Sequence, residues 1–338
     1  MRIIFSEAND ISTNRVIDWL IYYQKKYIRY NGPPIDDKDF NFNKAIISLN
    51  LNEAYNKFEL VHENSQITDN TIEAVWFRRP YKGTKDFPSQ FLEKICEIEN
   101  EEIESILRFH YKNFKELLAE LFSKRITLGS YQTTSMNKPV VLLLAQQFGL
   151  EIPKTLITNS FDKLKEFYLM NNNNIVCKAL FENILSFSRK NKCSLTEYTK
   201  LIDDIDIIDR EFEVSLFQEC IEKEFEIRVV FLAGKFFSMC IFSQKNKQTQ
   251  IDFRKYDDEK PNRMVPYKLN KSIELKLLKL MKELKLNMGS IDLIKSINGK
   301  YYFLEINPVG QYDFVSYYCN YNIHMEIAKY LNNEKKKN

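Results

Sequence analysis

Histidine is nearly missing from this chain. Three occur in 338 residues, at positions 62, 110 and 324, too scattered for a multi-histidine metal site or a His-driven catalytic network. Glycine is almost as scarce at eight, which excludes a collagen-like or Gly-rich linker protein. The six cysteines, at 96, 177, 193, 220, 240 and 319, contain no Cys-x-x-Cys pair, so neither a zinc knuckle nor a secreted disulfide framework is expected. No apolar run approaches the roughly 18–20 residues that span a bilayer. The start, Met1–Glu7, is acidic within seven residues and lacks a signal-peptide core. An excess of one charge is missing too: 49 basic residues against 46 acidic leave +3, which is no nucleic-acid footprint. The expectation is a soluble, cytoplasmic, reduced protein with neither nucleic acid nor membrane as partner.

What is present is a large interior. Forty-four per cent of residues are hydrophobic, with 25 Phe and 19 Tyr, enough for the two or three domains the length predicts. With histidine so rare, the chemistry is expected to rest on carboxylates, lysines and arginines.

Along the chain, Ile3–Phe5 reads as a strand, with Ser12-Thr13 placed to cap a helix carrying Val16, Ile17, Leu20 and Ile21 on one face. Tyr27–Tyr30, Ala45–Leu49 and Val75–Phe77 read as strands, and Phe91–Phe122 as a long amphipathic helix. A helix over Pro139–Phe148 has Gly149 at its C-terminal cap, and a second helix is predicted over Phe161–Met170. Strands are predicted at Ile175–Leu180, Val214–Cys220, Ile227–Ala233 and Phe236–Phe242. Residues 181–212 read as hairpin and loop, residues 244–268 as a loop, and Ser272–Leu284 as a helix. A hairpin of Ile291–Ile297 and Tyr301–Ile306 precedes a C-terminal helix and the charged tail Glu334–Lys337. This mixture predicts an α+β or α/β protein of three modules, 1–124, 125–215 and 216–338.

The hairpin carries the sharpest local inference. Asn298-Gly299 is the dipeptide favoured in a two-residue type I′ turn. If that turn is made, Ile297 faces Lys300, and counting back along both strands sets Asp292 opposite Glu305. Asn307, two residues further, points to the same face. Two carboxylates facing across a ladder repel unless something compensates them. A divalent cation would, and an all-oxygen set of Asp, Glu and Asn suits Mg²⁺, which commonly shares its shell with nucleotide phosphates. The alternative is a solvated acidic pair, opposed by the apolar neighbours Ile291, Leu293, Ile294, Leu304 and Ile306.

These residues resemble a family. Gly289–Ile294 followed by Tyr302–Pro308 looks like the metal-binding end of an ATP-grasp ligase. Phe217–Ile221 and Glu226–Val230 resemble the adenine hinge and the strand after it, and Asp252-Phe253-Arg254 matches a triplet of the ribosomal-protein glutamate ligases. Asn137-Lys138, Ile152–Thr155 and Val176–Lys178 fit the central subdomain. In the amino-terminal third, Ile4–Glu7 with Asp10–Thr13, and Val75–Pro80, resemble the graspetide (microviridin-type) peptide maturases, closest to the grasp-with-spasm group.

The resemblance implies a three-module ATP-grasp fold. Its modules would be an N-terminal pre-ATP-grasp domain, a central lid subdomain and a C-terminal subdomain with the Mg²⁺ site. It also implies the activity: ATP-dependent joining of Asp or Glu side chains of a ribosomal precursor peptide to Ser/Thr hydroxyls or Lys amines, as macrocyclic esters or amides, in a homodimer. A carboxylate is a poor electrophile, and phosphorylation to an acyl phosphate gives it a leaving group; cations and Mg²⁺ bring the anions together. On this basis Lys138 and Lys178 meet the ATP phosphates. Gln218, Glu219, Cys220 and Ile221 form the adenine hinge, and Glu226 meets the ribose. Arg228 and Arg254 act on the acyl phosphate, and Asp292, Glu305 and Asn307 hold Mg²⁺. Arg228 has a second reading, a structural salt bridge with Glu224 or Glu226. Arg78-Arg79 reads equally as recognition of the acidic peptide and as an inter-domain ion pair.

One departure from the family pattern is the absence of glycine from Phe181–Ser194, where many ATP-grasp enzymes carry a Gly-rich phosphate loop. Ser186, Ser188, Arg189 and Lys190 are the side chains there expected to substitute for it in contacting phosphate. Two other functions stay open on sequence: a ligase adding amino acids to a protein terminus or small molecule, and an inactive nucleotide-binding module.

Overall fold

The computed structural model describes all residues except 8, 31–44, 51–56, 63–64, 69–70, 80–112, 114–115, 118–119, 131–132, 134, 181–184, 190, 196–197 and 333–338, with the side chains of 30, 45–50, 57–62, 65–67, 185–189, 191–195 and 207 also outside the description. The predicted helix 91–122 therefore lies largely outside the described residues, as do the tail 334–337 and the turn 31–34. The chain forms two compact units, Met1–Thr134 with Asn322–Asn338, and Ser135–Tyr321.

In the first unit, β1 (Arg2–Phe5), α1 (Ile11–Tyr22), β2 (Tyr27–Tyr30), β3 (Ala45–Asn50), β4 (Lys57–His62), β5 (Ser65–Thr68), β6 (Ala74–Phe77) and β7 (Ile126–Leu128) follow in order. A parallel sheet runs β2-β1-β6-β7, and β3-β4-β5 form an antiparallel meander. Ile3, Ile4, Val75 and Trp76 are buried in the parallel sheet, and α1 contributes Val16, Ile17 and Leu20 to the interior. Gly129, just after β7, adopts φ +70°, and a Cβ there would lie 2.6 Å from the Phe77 carbonyl oxygen, so only glycine fits. The helix cap is not at Ser12-Thr13 as expected. Asp10 holds that position without capping, its carboxylate being turned to Arg78, Ser6 and Thr13 instead.

The second unit begins with α2 (Lys138–Gln147), β8 (Thr155–Ser160), α3 (Phe161–Met170), β9 (Ile175–Lys178), β10 (Leu185–Arg189), β11 (Asn191–Leu195), β12 (Lys200–Ile202) and β13 (Glu211–Glu219). It continues with β14 (Lys223–Leu232), β15 (Lys235–Phe242), β16 (Arg263–Tyr267), α4 (Lys271–Glu283), β17 (Met288–Ser296), β18 (Tyr301–Asn307) and α5 (Asp313–Tyr318). The last helix, α6 (Ile323–Leu331), returns to the first unit and packs on α1. β16 lies in the stretch expected to be a loop. The Gly-free segment contains the antiparallel hairpin β10-β11.

Two sheets build this unit. One runs β12-β9-β13-β8 and is covered by α3 through Leu164, Phe167 and Tyr168. The other runs β16-β15-β14-β17-β18, entirely antiparallel, and packs Ile227, Val229, Leu293, Phe303 and Ile306 against α2 and α4. Ser160 caps α3, Asn137 caps α2 and Asn270 caps α4, each accepting a backbone N–H.

The β17-β18 hairpin differs from its expected form at two places. No two-residue turn forms: Ser296, not Ile297, pairs with Lys300, and Gly299 adopts φ +80° in a three-residue loop. The Ser296 Oγ accepts the Lys300 N–H at 3.1 Å, and the Ile297 N–H is drawn away to the Glu222 carbonyl at 3.1 Å. Further along, Leu293 pairs with Phe303 while Asp292 pairs with Glu305, so Leu304 is the extra residue of a β-bulge. The shift at the turn and the shift at the bulge cancel. Asp292 does face Glu305, as expected, but by a route the turn rule did not contain.

Candidate functional site

Three neighbouring strands set the charged groups in a row. Arg228 on β14 is in register with Asp292 on β17, which is in register with Glu305 on β18. The Arg228 Nε lies 3.0 Å from the Asp292 Oδ1, and the Lys138 Nζ at the start of α2 lies 2.9 Å from the Glu305 Oε2. The sequence of charges is therefore cation, anion, anion, cation. Lys138 sits at a helix N-terminus, where the dipole disfavours a cation; Glu305 offsets that cost. Lys138 and Glu305, with Met136, Val141 and Ile306, line a small cleft. Ser290 pairs with Asn307, whose Oδ1 accepts the Val309 N–H at 3.0 Å, bringing the third oxygen donor to the same end of the hairpin.

The row is electrostatically unfinished. Burial pushes the Asp292 carboxyl up to about 7, with the Glu305 charge adding to the effect and Arg228 opposing it. The Asp292 Oδ1 and Arg228 Nε are both buried and, despite their closeness, make no hydrogen bond to each other or to any other group. Among the described residues no three Asp, Glu, His or Cys side chains close into a metal cage. The donors fit Mg²⁺ in its usual partial manner: two carboxylates and an amide oxygen, one carboxylate oxygen buried without a hydrogen bond, and the remaining shell left to water or phosphate.

Around the row stand further cations. Lys178, at the end of β9, keeps part of its surface in solvent, yet desolvation of its ammonium lowers the pKa to about 8. Glu305 and Asp252 oppose that shift, and Lys138 and Lys223 reinforce it. Arg254 grips Asp252 in a bidentate pair, Nε to Oδ1 at 2.9 Å and Nη2 to Oδ2 at 2.7 Å. Burial opposes ionisation of Asp252, but this pair and the Thr199 N–H hold its pKa at about 2.

The residues expected to form the hinge lie where β13 leaves its sheet. Gln218 is buried and donates to the Thr155 Oγ1 at 3.0 Å. The Glu219 N–H is used by the Lys154 carbonyl and the Cys220 N–H by the Asn174 carbonyl, each at 3.0 Å. Among the described residues the Ile221 N–H has no backbone partner. Glu226 is buried, its Oε1 receiving the Lys223 Nζ at 2.6 Å and the Ser243 Oγ at 2.9 Å. Arg228 pairs with Asp292, rather than with Glu224 or Glu226 as its structural reading had it.

Arg78 and Arg79 belong to the first unit and form a separate cluster. The Arg78 Nε donates to the Asp10 Oδ2 at 3.0 Å in full burial, and the Arg79 Nη1 donates to the Glu7 Oε2 at 3.0 Å with Arg79 about a third exposed.

Lys223, Ser243, Asp252, Phe253 and Phe314 were absent from the residues expected to build the site. The triplet Asp252–Arg254 was visible in sequence, but only Arg254 drew a role. Nothing local signals Phe314, whose ring meets Arg228 across the fold.

No protein-family model and no curated protein sequence matches the chain. Solved structures do. Macrocyclase MdnC bound with precursor peptide MdnA, from Microcystis aeruginosa MRC, superposes with a TM-score of 0.76 at 26% identity, over 99% of this chain and 100% of that one. A RiPP-associated ATP-grasp ligase from Chryseobacterium gregarium, in complex with ADP and a leader and core peptide, gives 0.80 at 21% identity, over 99% and 97%. The ATP-grasp ligase PsnB, complexed with a phosphomimetic variant of its minimal precursor, Mg and ADP, gives 0.68 at 14% identity, over 99% and 98%. The fold of this chain is that of the ATP-grasp ligases, in the form found in peptide macrocyclases. Among the described residues no helix is long and apolar enough to cross a membrane.

Proposed function

We propose that the chain is an ATP- and Mg²⁺-dependent ligase that activates Asp or Glu side chains of a ribosomally made precursor peptide and joins them to Ser, Thr or Lys side chains as macrocyclic esters or amides. The observation that carries this reading is the row Arg228–Asp292–Glu305–Lys138, within a fold that matches peptide macrocyclases over 99% of the chain.

In this reading Asp292, Glu305 and Asn307 hold Mg²⁺, which supplies charge neutralisation to the transferring phosphoryl group. Lys178 and Lys138 bind the phosphates, Lys138 exchanging Glu305 for phosphate when nucleotide arrives. The hinge Gln218–Ile221 takes the adenine through the Glu219 carbonyl and the Ile221 N–H. Glu226 takes the ribose, with Lys223 and Ser243 fixing its carboxylate. Arg228 and Arg254 steady the carboxylate as it becomes an acyl phosphate; the acceptor hydroxyl or amine then attacks, and phosphate leaves. Arg79, the more exposed of the arginine pair, offers a charge to the acidic peptide, while Arg78 is held inside by Asp10. The hairpin β10-β11 stands where the family keeps its phosphate loop. We assign the two sheets of the second unit to the lid and metal-binding subdomains, and place a homodimer in the cytoplasm, in keeping with free thiols at Cys220, Cys240 and Cys319.

The test is incubation with ATP, Mg²⁺ and an acidic, Ser/Thr/Lys-bearing peptide encoded beside the gene. The expected product is lighter by one water per linkage. A gain in mass by an added amino acid would show a terminus-extending ligase instead, and absence of ATP consumption would show a binding module.

A further inference from the structure

Arg228 is placed by something other than its counter-ion. Its Nε comes within 3.0 Å of the Asp292 Oδ1, but the contact lacks hydrogen-bond geometry, so Asp292 supplies charge without fixing the orientation of the guanidinium plane. The guanidinium carbon lies over two phenyl rings: the Arg228 Cζ is 5.6 Å from the ring centroid of Phe253 and 5.6 Å from that of Phe314. A guanidinium facing aromatic rings is held by the ring quadrupole and by stacking, neither of which consumes an N–H donor. The rings come from separate parts of the chain, Phe253 from the turn that also carries the Asp252–Arg254 pair and Phe314 from α5. Phe253 is 5% exposed, and Val315, next to Phe314, is fully buried, so both rings have rigid bases.

We propose that Phe253 and Phe314 are positioning residues that clamp the Arg228 guanidinium, holding it in the row while leaving its donors for the substrate's carboxylate and phosphoryl oxygens. This rests on the role given to Arg228 above. Misplacing a catalytic group by about 1 Å costs on the order of 100-fold in rate, so loosening the clamp should lower kcat and spare ATP binding.

The experiment compares Phe314→Leu, Phe253→Leu and Phe314→Tyr with wild type, alone and with Arg228→Lys, in ATP-dependent peptide cyclisation. Each Leu variant should lose roughly 10- to 100-fold in kcat with the ATP KM little changed, and Phe314→Tyr, which keeps the ring face, should recover most of it. On an Arg228→Lys background the Leu substitutions should add little, because the clamp acts through Arg228. Losses that multiply on that background, or a Tyr variant as slow as Leu, would overturn the clamp and leave a packing role. A second readout is independent of turnover: the Arg228 Hε resonance should be ring-current shifted in wild type and relax in both Leu variants. An unchanged resonance refutes the clamp. If wild type turns over no ATP, the proposed function fails while this resonance still decides the clamp.

Discussion

Two Asp–Arg pairs, one in each unit, have the same separation and opposite characters. Arg78 and Asp10 meet at 3.0 Å with side chains 1% and 3% exposed, and Arg228 and Asp292 meet at 3.0 Å with 12% and 13%. Asp10 is engaged from three sides: its Oδ2 accepts from Arg78 and from Thr13 at 3.0 Å, and from Ser6 at 3.3 Å. Asp292 has its charge opposed but an oxygen left without a hydrogen bond, and burial raises its carboxyl. A buried ion pair is tolerable when every lone pair is used. One that leaves capacity unused has room for a ligand. The Asp10 carboxylate is engaged by the protein's own donors, and the Asp292 carboxylate is the candidate to take a ligand.

Substitutions should break this comparison in opposite ways. Asp292→Asn or Glu305→Gln should abolish ATP-dependent product while the melting temperature moves little; retained turnover in both would sink the metal assignment. Asp10→Ala should do the reverse, costing on the order of 3–5 kcal/mol of stability by stranding Arg78 in the interior, read from denaturant unfolding. If Asp10→Ala unfolds no more readily than wild type, the first pair is not the closed structural element described here.

Gly310→Ala probes the packing beneath the second pair. A Cβ at Gly310 would lie 2.1 Å from the Ser290 Oγ and 2.4 Å from the Ser290 Cβ, against the strand position that pairs with Asn307. The expected loss is about 1–3 kcal/mol together with a higher Mg²⁺ requirement, and Ser290→Gly in the same chain should restore both.

A pH titration is gentler. Lys178, lowered to about 8, is neutral above that pH in the free protein, and bound phosphate favours its charged form. Nucleotide affinity should therefore fall as pH rises through 8, by at most about tenfold per pH unit, with proton uptake on binding measurable by calorimetry in two buffers. For stability the sign is opposite. Between about 8 and the unperturbed 10.5 the unfolded chain binds the extra proton, so the Lys178 contribution makes the fold more stable as pH rises across that window. The smallest effect is expected for Arg79→Ala, which removes a part-exposed pair with Glu7 at 3.0 Å and a longer one with Asp10 at 3.7 Å, and should cost under about 1 kcal/mol. A larger loss in denaturant unfolding would show that the Asp10 contact matters more than its length suggests.

What sequence could reveal follows the range of its rules. Helices α2, α3 and α4 were legible from apolar spacing, and the strands of the β17-β18 hairpin from local motifs. Asp292 facing Glu305 came out as expected from the hairpin motif only because the three-residue loop and the bulge at Leu304 cancel. Arg228 facing Asp292 was not, since β15, β16 and α4 intervene between β14 and β17 and only the sheet order joins them. Lys138 meeting Glu305 depends on how α2 lies on β18. Asp10 entered the sequence reading only within the Asp10–Thr13 resemblance, because its partner Arg78 lies 68 residues away in sequence. Local patterns name the residues, and the pairings between distant strands decide what each does.

The extra residue Leu304 has a consequence for how this strand is to be aligned or transplanted. Phe303 and Glu305 share parity, and in a regular strand they would share a face. Here Phe303 is 1% exposed in the core, together with Ile306 three positions on, while Glu305 meets Lys138 on the other side. The bulge changes the reading frame of the strand midway, so the parity that buries Phe303 before it sets Glu305 opposite Asp292 after it. An alignment that counts residues in twos from Phe303 would turn the Glu305 carboxylate into the apolar core, and a graft of this hairpin onto another sheet keeps the acid opposite Asp292 only if it carries the spare leucine with it.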